Sequence, residues 1–188
     1  MENIKYFIPL ITFIVGMLCT PFIESLKDRR TTNLHKKNIW IELSDELLNL
    51  EKSIKTTDSS ITKRNRLSDG AVYLSLPAKI EFILLEENLK TVYAALTNEQ
   101  RLTIKNVLNL KNSINENYDN VLSCYKTSNH SAKSAEKSML YSKLSLYFLL
   151  TNLTNSGDNF IRPALSNDDL ALKAAQSLNI KNFPSQTI

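Results

Sequence analysis

The chain has 188 residues, a net charge of +4 and 43% hydrophobic residues, enough for one domain with a real core beside a membrane segment. Only 3 glycines and 5 prolines are present, so positive-φ turns are scarce, which disfavours hairpin-rich β architectures and points to an all-α fold. Scattered glycines exclude a Gly-rich phosphate-cradling loop, and the 2 histidines, His35 and His130, lie too far apart for HExxH or zinc-ligand spacing.

In chain order, the first signal is an uncharged run from Tyr6 to Ile23. At ~1.5 Å per residue it just crosses a ~30 Å hydrocarbon layer, so a single transmembrane helix is expected, with Phe7, Ile8, Leu10, Ile11, Phe13, Ile14, Val15, Leu18 and Phe22 facing lipid. A cleaved signal peptide and an unusually apolar core helix are the competing readings. The exit Met17–Glu24 lacks the pair of small residues that a signal peptidase needs. Pro9 suits a first turn, and Pro21 should kink or end the helix.

Residues 24–38 carry Lys27, Arg29, Arg30, Lys36 and Lys37 against Lys5 alone on the other flank. By the positive-inside rule, the rest of the chain is expected to form a cytosolic multi-helix bundle on the inner (cytoplasmic) membrane. These five cations, with Lys63, Arg64 and Arg66, are the candidate contacts for anionic lipid or phosphate. Aromatics are absent around Lys63–Arg66, so single-strand stacking has no platform and nucleic acid is not an expected partner.

Ile39, Leu43, Leu47, Leu50 and Ile54 recur at helical spacing, predicting an amphipathic helix that ends near Thr56. Thr56 to Arg66 is rich in cap and turn formers and reads as an exposed linker or short helix. Ser68-Asp69-Gly70 is turn chemistry. Val72, Leu74 and Leu76 alternate like a strand without a partner, leaving residues 71–76 ambiguous, and Pro77 suits the start of a helix with Phe82, Leu85, Leu89, Val92 and Leu96 inward.

The clearest amphipathic helix runs from Glu99 to about Tyr125, with Ile104, Val107, Ile114, Tyr118 and Val121 on one stripe. The next spans Ser131 to Asn155, and its second half, Met139 to Leu153, is apolar nearly all round. That marks it as central to the bundle. Lys143 leaves too short an uncharged run for a second span. Gly157 closes it, and Ser166 with Asp169 resembles a capping box that starts a last helix through Leu178.

The expected organisation is therefore an anchor over 1–26, a basic stalk over 27–38, a bundle over 39–179 and a flexible tail over 180–188. Adjacent carboxylates, Glu86-Glu87 and Asp168-Asp169, point about 100° apart on a helix and do not converge. Asp158 and Arg162 would pair only if their stretch were helical. Cys19 and Cys124 are expected as free thiols. No catalytic, cofactor-binding or metal site is expected, and neither is a cofactor. The function these features suggest is a non-enzymatic, membrane-anchored scaffold or sensor with an unknown protein partner. The alternative is a self-associating effector of holin-like, stress or phage-defence type, a homo-oligomer that perturbs the lipid bilayer.

Overall fold

The computed structural model describes residues 2–67 and 71–183, with side chains from Thr12 onward. Helices account for the described elements: α1 (Glu2–Arg64), α2 (Ile83–Val92), α3 (Asn98–Cys124), α4 (Asn129–Ser156) and α5 (Asn167–Leu178), with single 3-10 turns at Tyr93–Ala95 and Gly157–Asn159. Among the described residues there is no strand. Residues 71–82 are coil, neither strand nor helix, and the expected turn at residues 68–70 lies outside the described residues.

α1 is 63 residues long, about 95 Å at ~1.5 Å per residue. Expected anchor, stalk, first bundle helix and linker are thus one unbroken element. Pro21 does not end it, although its ring removes one intrahelical N–H. Every residue from Thr12 to Thr31 is exposed, whereas Ile39, Leu43, Leu50, Ile54 and Ile61 are buried. Among the described residues no helix is long and apolar enough to cross a membrane. The transmembrane expectation gains no support there, and the side chains of Phe7, Ile8, Leu10 and Ile11 lie outside the described residues.

Thr56 to Arg64 corrects the linker reading. Cap-forming residues sit inside the helix because their hydroxyls bond back to the preceding turn: Thr56 Oγ1 donates to Lys52 O at 2.9 Å, Thr57 to Ser53 O at 2.9 Å and Thr62 to Asp58 O at 3.0 Å. With its donor spent locally Thr57 is buried and Thr62 half-buried, while Thr56 stays on the exposed side of the helix.

α4 is the central helix, packed against α1, α3 and α5. Three neighbours explain its nearly all-round apolar second half, since Met139, Leu140, Leu144, Leu146, Leu149, Leu150 and Leu153 are each buried. The connection between α3 and α4 is short, so the two form an antiparallel hairpin. α1 also runs antiparallel to α4, with Arg64 beside Glu136 and Thr57 beside Lys143.

Local caps set the helix ends. Thr97 and Gln100 form a capping box at the start of α3, and Ser166 with Asp169 forms one at α5, as the sequence suggests. α4 ends at Gly157 with φ +52° and ψ −123°, a conformation in which a Cβ is strained. Asn179 takes the left-handed position after α5, where Ile180 N donates to Ala175 O at 2.9 Å. The tail does not fray at once: Asn182 N donates to Asp58 Oδ1 at 2.9 Å and Phe183 stacks on Tyr141. Residues 184–188 lie outside the described residues.

Leu146, Leu149 and Leu150 are at most 1% exposed. Leu→Ala at any of the three should cost about 2–5 kcal/mol. In denaturant titrations of the full chain in mild detergent the midpoint should fall at every protein concentration; an unchanged midpoint would show that α4 is not the centre of the bundle.

Candidate functional site

The chemistry concentrated in this fold is a polar layer between α1 and α4. Thr57, Ser60 and Arg64 continue the inward stripe of α1 beyond Ile54, and Glu136 and Lys143 lie two turns apart on α4. All five are buried, with exposures of 0–1%.

Arg64 and Glu136 form its centre. Arg64 Nε donates to Glu136 Oε2 at 3.1 Å and Nη2 donates to Oε1 at 2.8 Å, a bidentate pair that Ser60 Oγ completes by donating to Oε1 at 3.0 Å. The guanidinium also donates to Asn129 Oδ1 at 3.0 Å and to Tyr73 O at 3.1 Å, with its Cζ 5.7 Å from the Tyr73 ring centroid. One side chain therefore joins the end of α1, the start of α4 and the coil between α1 and α2. Such saturation is what makes a buried charge tolerable.

Lys143 sits on the same interface, and its Nζ donates to Thr57 Oγ1 at 2.9 Å. Burial pulls its ammonium down from 10.5 to about 7, while the Glu136 carboxylate opposes that shift. The sense agrees with charge balance: Arg64 and Glu136 already cancel, so a protonated Lys143 leaves the layer with one uncompensated positive charge. A neutral amine removes it.

The eight cations expected to meet lipid or phosphate fall into separate groups. Lys27, Arg29, Arg30 and Lys37 are exposed on α1 before the bundle. Lys36 is held by Asp158, and its Nζ also donates to Ala95 O at 3.5 Å, so it fastens both 3-10 turns to α1. Asp158 consequently does not pair with Arg162, and Lys36 holds its carboxyl below the usual range. Lys63 and Arg66 are exposed at the far end of α1, roughly 40 Å along the helix from Lys36. Arg64, between them, is turned inward and is no phosphate contact.

The sequence reading missed Thr57, Ser60 and Glu136 and took Lys143 only as an interruption. The signal existed: continuing the Ile39–Ile54 stripe by three and four reaches 57, 61 and 64. Among the described residues no cluster of His, Cys, Asp and Glu could hold a metal ion, and Cys19 and Cys124 are free thiols. All five side chains of the layer are closed off from solvent, and their hydrogen bonds order the helices around them.

Charge burial in this layer can be tested in two ways. Glu136→Gln leaves Arg64 charged and underpaired, and should cost about 3–5 kcal/mol, whereas a joint Arg64→Met, Glu136→Leu variant should recover most of that. For Lys143 the folded value lies below the unfolded one, so the unfolded chain holds the extra proton between about pH 7 and 10.5. Stability should therefore rise with pH across that window, by up to about 1.4 kcal/mol per unit from this group, and should not depend on it below pH 7. Urea titrations at several pH values should give a shallower rise for Lys143→Met; the same rise in both proteins would remove Lys143 as the source.

Comparison of the chain with protein-family models, curated proteins and solved structures finds no match. Its function has to be argued from its own geometry.

Proposed function

We propose that this chain is a single-pass, membrane-anchored helical interaction or sensor protein acting at the cytoplasmic face of a bacterial-type membrane. The observation that carries the reading is the division of α1: one helix is bare over Thr12–Thr31 and forms the core from Ile39 onward. In the bare half Phe13, Leu18 and Phe22 are 63%, 71% and 66% exposed. Apolar side chains in that density gain roughly 25 cal/mol per Å² on leaving water, and the bundle offers them no surface. Together with the uncharged stretch that begins at Tyr6, they suit a bilayer.

The cytoplasmic assignment rests on Lys27, Arg29, Arg30, Lys36 and Lys37 after the apolar run. The sensor role rests on continuity. Because the apolar stretch and the buried charged layer belong to one helix, turning or axially shifting the first half displaces Thr57 and Arg64 against α4. A hydrogen-bonded charge layer has few arrangements that keep every group paired, which makes it a natural discriminator between positions of α1.

Membrane fractionation tests the anchor: the full chain should remain in the pellet through high-salt and alkaline washes, and recovery in the wash would refute it. Topology is read from Cys124, which is half-buried on α3. In a Cys19→Ser background a membrane-impermeant maleimide should label Cys124 only after the cells are permeabilised and the chain unfolded. Equal labelling of an intact and a permeabilised sample would place the bundle on the other side. Growth arrest with depolarisation on induced expression would favour the self-associating effector instead.

A further inference from the structure

Away from the layer between α1 and α4, a cleft of about 450 Å³ lies where α3, α4 and the residues after α5 meet, within the ~300–1,000 Å³ range of small-ligand sites. Three elements wall it. α4 supplies Leu140, Tyr141 and Ser142, α3 supplies Ser113, and Phe183 closes it from beyond α5. Leu140 and Ser142 are buried, at 1% and 6% exposed, and Ser113, Tyr141 and Phe183 are half-buried. The wall after α5 is held in place, because Asn182 is hydrogen-bonded to Asp58 and Thr62 of α1 and Phe183 stacks on Tyr141 with ring centroids 6.3 Å apart.

The hydrogen bonds already spent decide what the cleft can still bind. Tyr141 gives its hydroxyl proton to Asp168 Oδ1, and the amide N–H groups of the Asn182 side chain are used on α1. Ser113 Oγ and Ser142 Oγ lie 3.2 Å apart and share one hydrogen bond, so one of their two hydroxyl protons is left over. Lys137 and Ser138, one turn earlier on α4, are exposed at the mouth, and among the described residues Lys137 enters no ion pair. No carboxylate lines the cleft: Glu136, next to Lys137 in sequence, is turned to Arg64 on the α1 side.

Spare protons, a single cation and no carboxylate call for a ligand that accepts hydrogen bonds and carries one negative charge. A phosphate dianion would leave one charge unmatched, and a cationic ligand would meet Lys137 without compensation. Leu140 and the two rings fit an apolar body. An aromatic one suits them best, since ring edges and faces attract one another beyond the area they bury.

We propose that this cleft binds a small aromatic monocarboxylate, its carboxylate on Lys137 and the spare serine hydroxyls and its ring against Leu140, Tyr141 and Phe183. The site does not depend on how α1 meets a bilayer. A bound ligand would touch α3, α4 and the segment that Asn182 clips to Asp58 and Thr62, and so would tighten the hold of that segment on the last turns of α1.

The test is equilibrium dialysis of the purified full chain in mild detergent, with micelles alone as the blank, and naphthoate and its primary amide as probes measured by fluorescence. Naphthoate should bind with a Kd of about 0.1–1 mM, the range open to a ligand of roughly a dozen non-hydrogen atoms. It should bind about tenfold tighter than the amide, the factor that one charge-assisted hydrogen bond supplies. Lys137→Gln should bring the acid down to the level of the amide, Lys137→Arg should keep the preference, and Phe183→Ala should weaken both probes about tenfold. Lys137 is exposed, so the circular dichroism and thermal melting of its variants without probe should match the parent. No binding above the blank, equal binding of acid and amide, or a preference for the acid that survives Lys137→Gln would overturn the site. Binding of both probes untouched by Phe183→Ala would place them elsewhere and overturn it as well.

Discussion

The bidentate pair of Arg64 and Glu136 is the constraint on which the rest of the bundle depends. Both groups are fully buried, and each is satisfied only because several elements converge: Ser60 from α1, Asn129 at the start of α4 and Tyr73 O from the intervening coil. Withdrawing any of these elements strands a charge in an apolar interior, so the pair specifies arrangement more than it adds stability. It sets the register of α1 against α4, and Lys143 with Thr57 repeats that register two turns along. The coil depends on it as well. Residues 71–82 have no ladder or helix of their own, and hold their path through Tyr73 O on Arg64, the Ile80 backbone on Asn115 at 2.9–3.0 Å, and the first amides of α2 on Glu42.

These clamps explain which features were legible in sequence. α3, α4 and α5 could be read because their signals are local: Thr97 with Gln100, Ser166 with Asp169, and Gly157 beyond the last apolar turn. The core stripe of α1 was legible for the same reason. The start of α2 was not. Pro77 gave the usual opening signal, yet the helix begins at Ile83, because the carboxylate of Glu42 accepts from Leu84 N and Leu85 N at 2.8 Å each. A cap supplied by another helix, more than 40 residues away, leaves no mark on neighbouring residues. Val72 and Leu74, which alternate like a strand, point outward instead.

The candidate site was less legible than the fold. Thr57, Ser60 and Arg64 are residue types found at helix ends and on surfaces, and composition alone assigns them there. What turns them inward is a partner on α4: a single Glu and a single Lys at the positions of Glu136 and Lys143. The same reasoning separates Lys36 from its stalk neighbours, since Asp158 is 122 residues distant and only the fold brings it near.

α1 also decides what kind of motion can pass from one end of the molecule to the other. It is held at several points: at Lys36 by the two 3-10 turns, at Glu42 by the first amides of α2, and over Thr57–Arg64 by α4. From Glu2 to Lys36 the helix spans about 51 Å and from Lys36 to Arg64 about 42 Å. With arms of comparable length, a rigid lean of several ångströms at the first end would demand a shift of the same order among close-packed side chains, which such a core resists. Bending is easiest at Pro21, where the ring removes an N–H from the helix ladder and the surrounding side chains are exposed. Bending is absorbed there, outside the bundle. Rotation about the axis and displacement along it are not, because every turn of the helix must move together, and these are the movements to which a register-setting charge pair responds. On the proposed reading, α1 therefore reports how far and at what angle of rotation it sits in the bilayer, and it is insensitive to tilt.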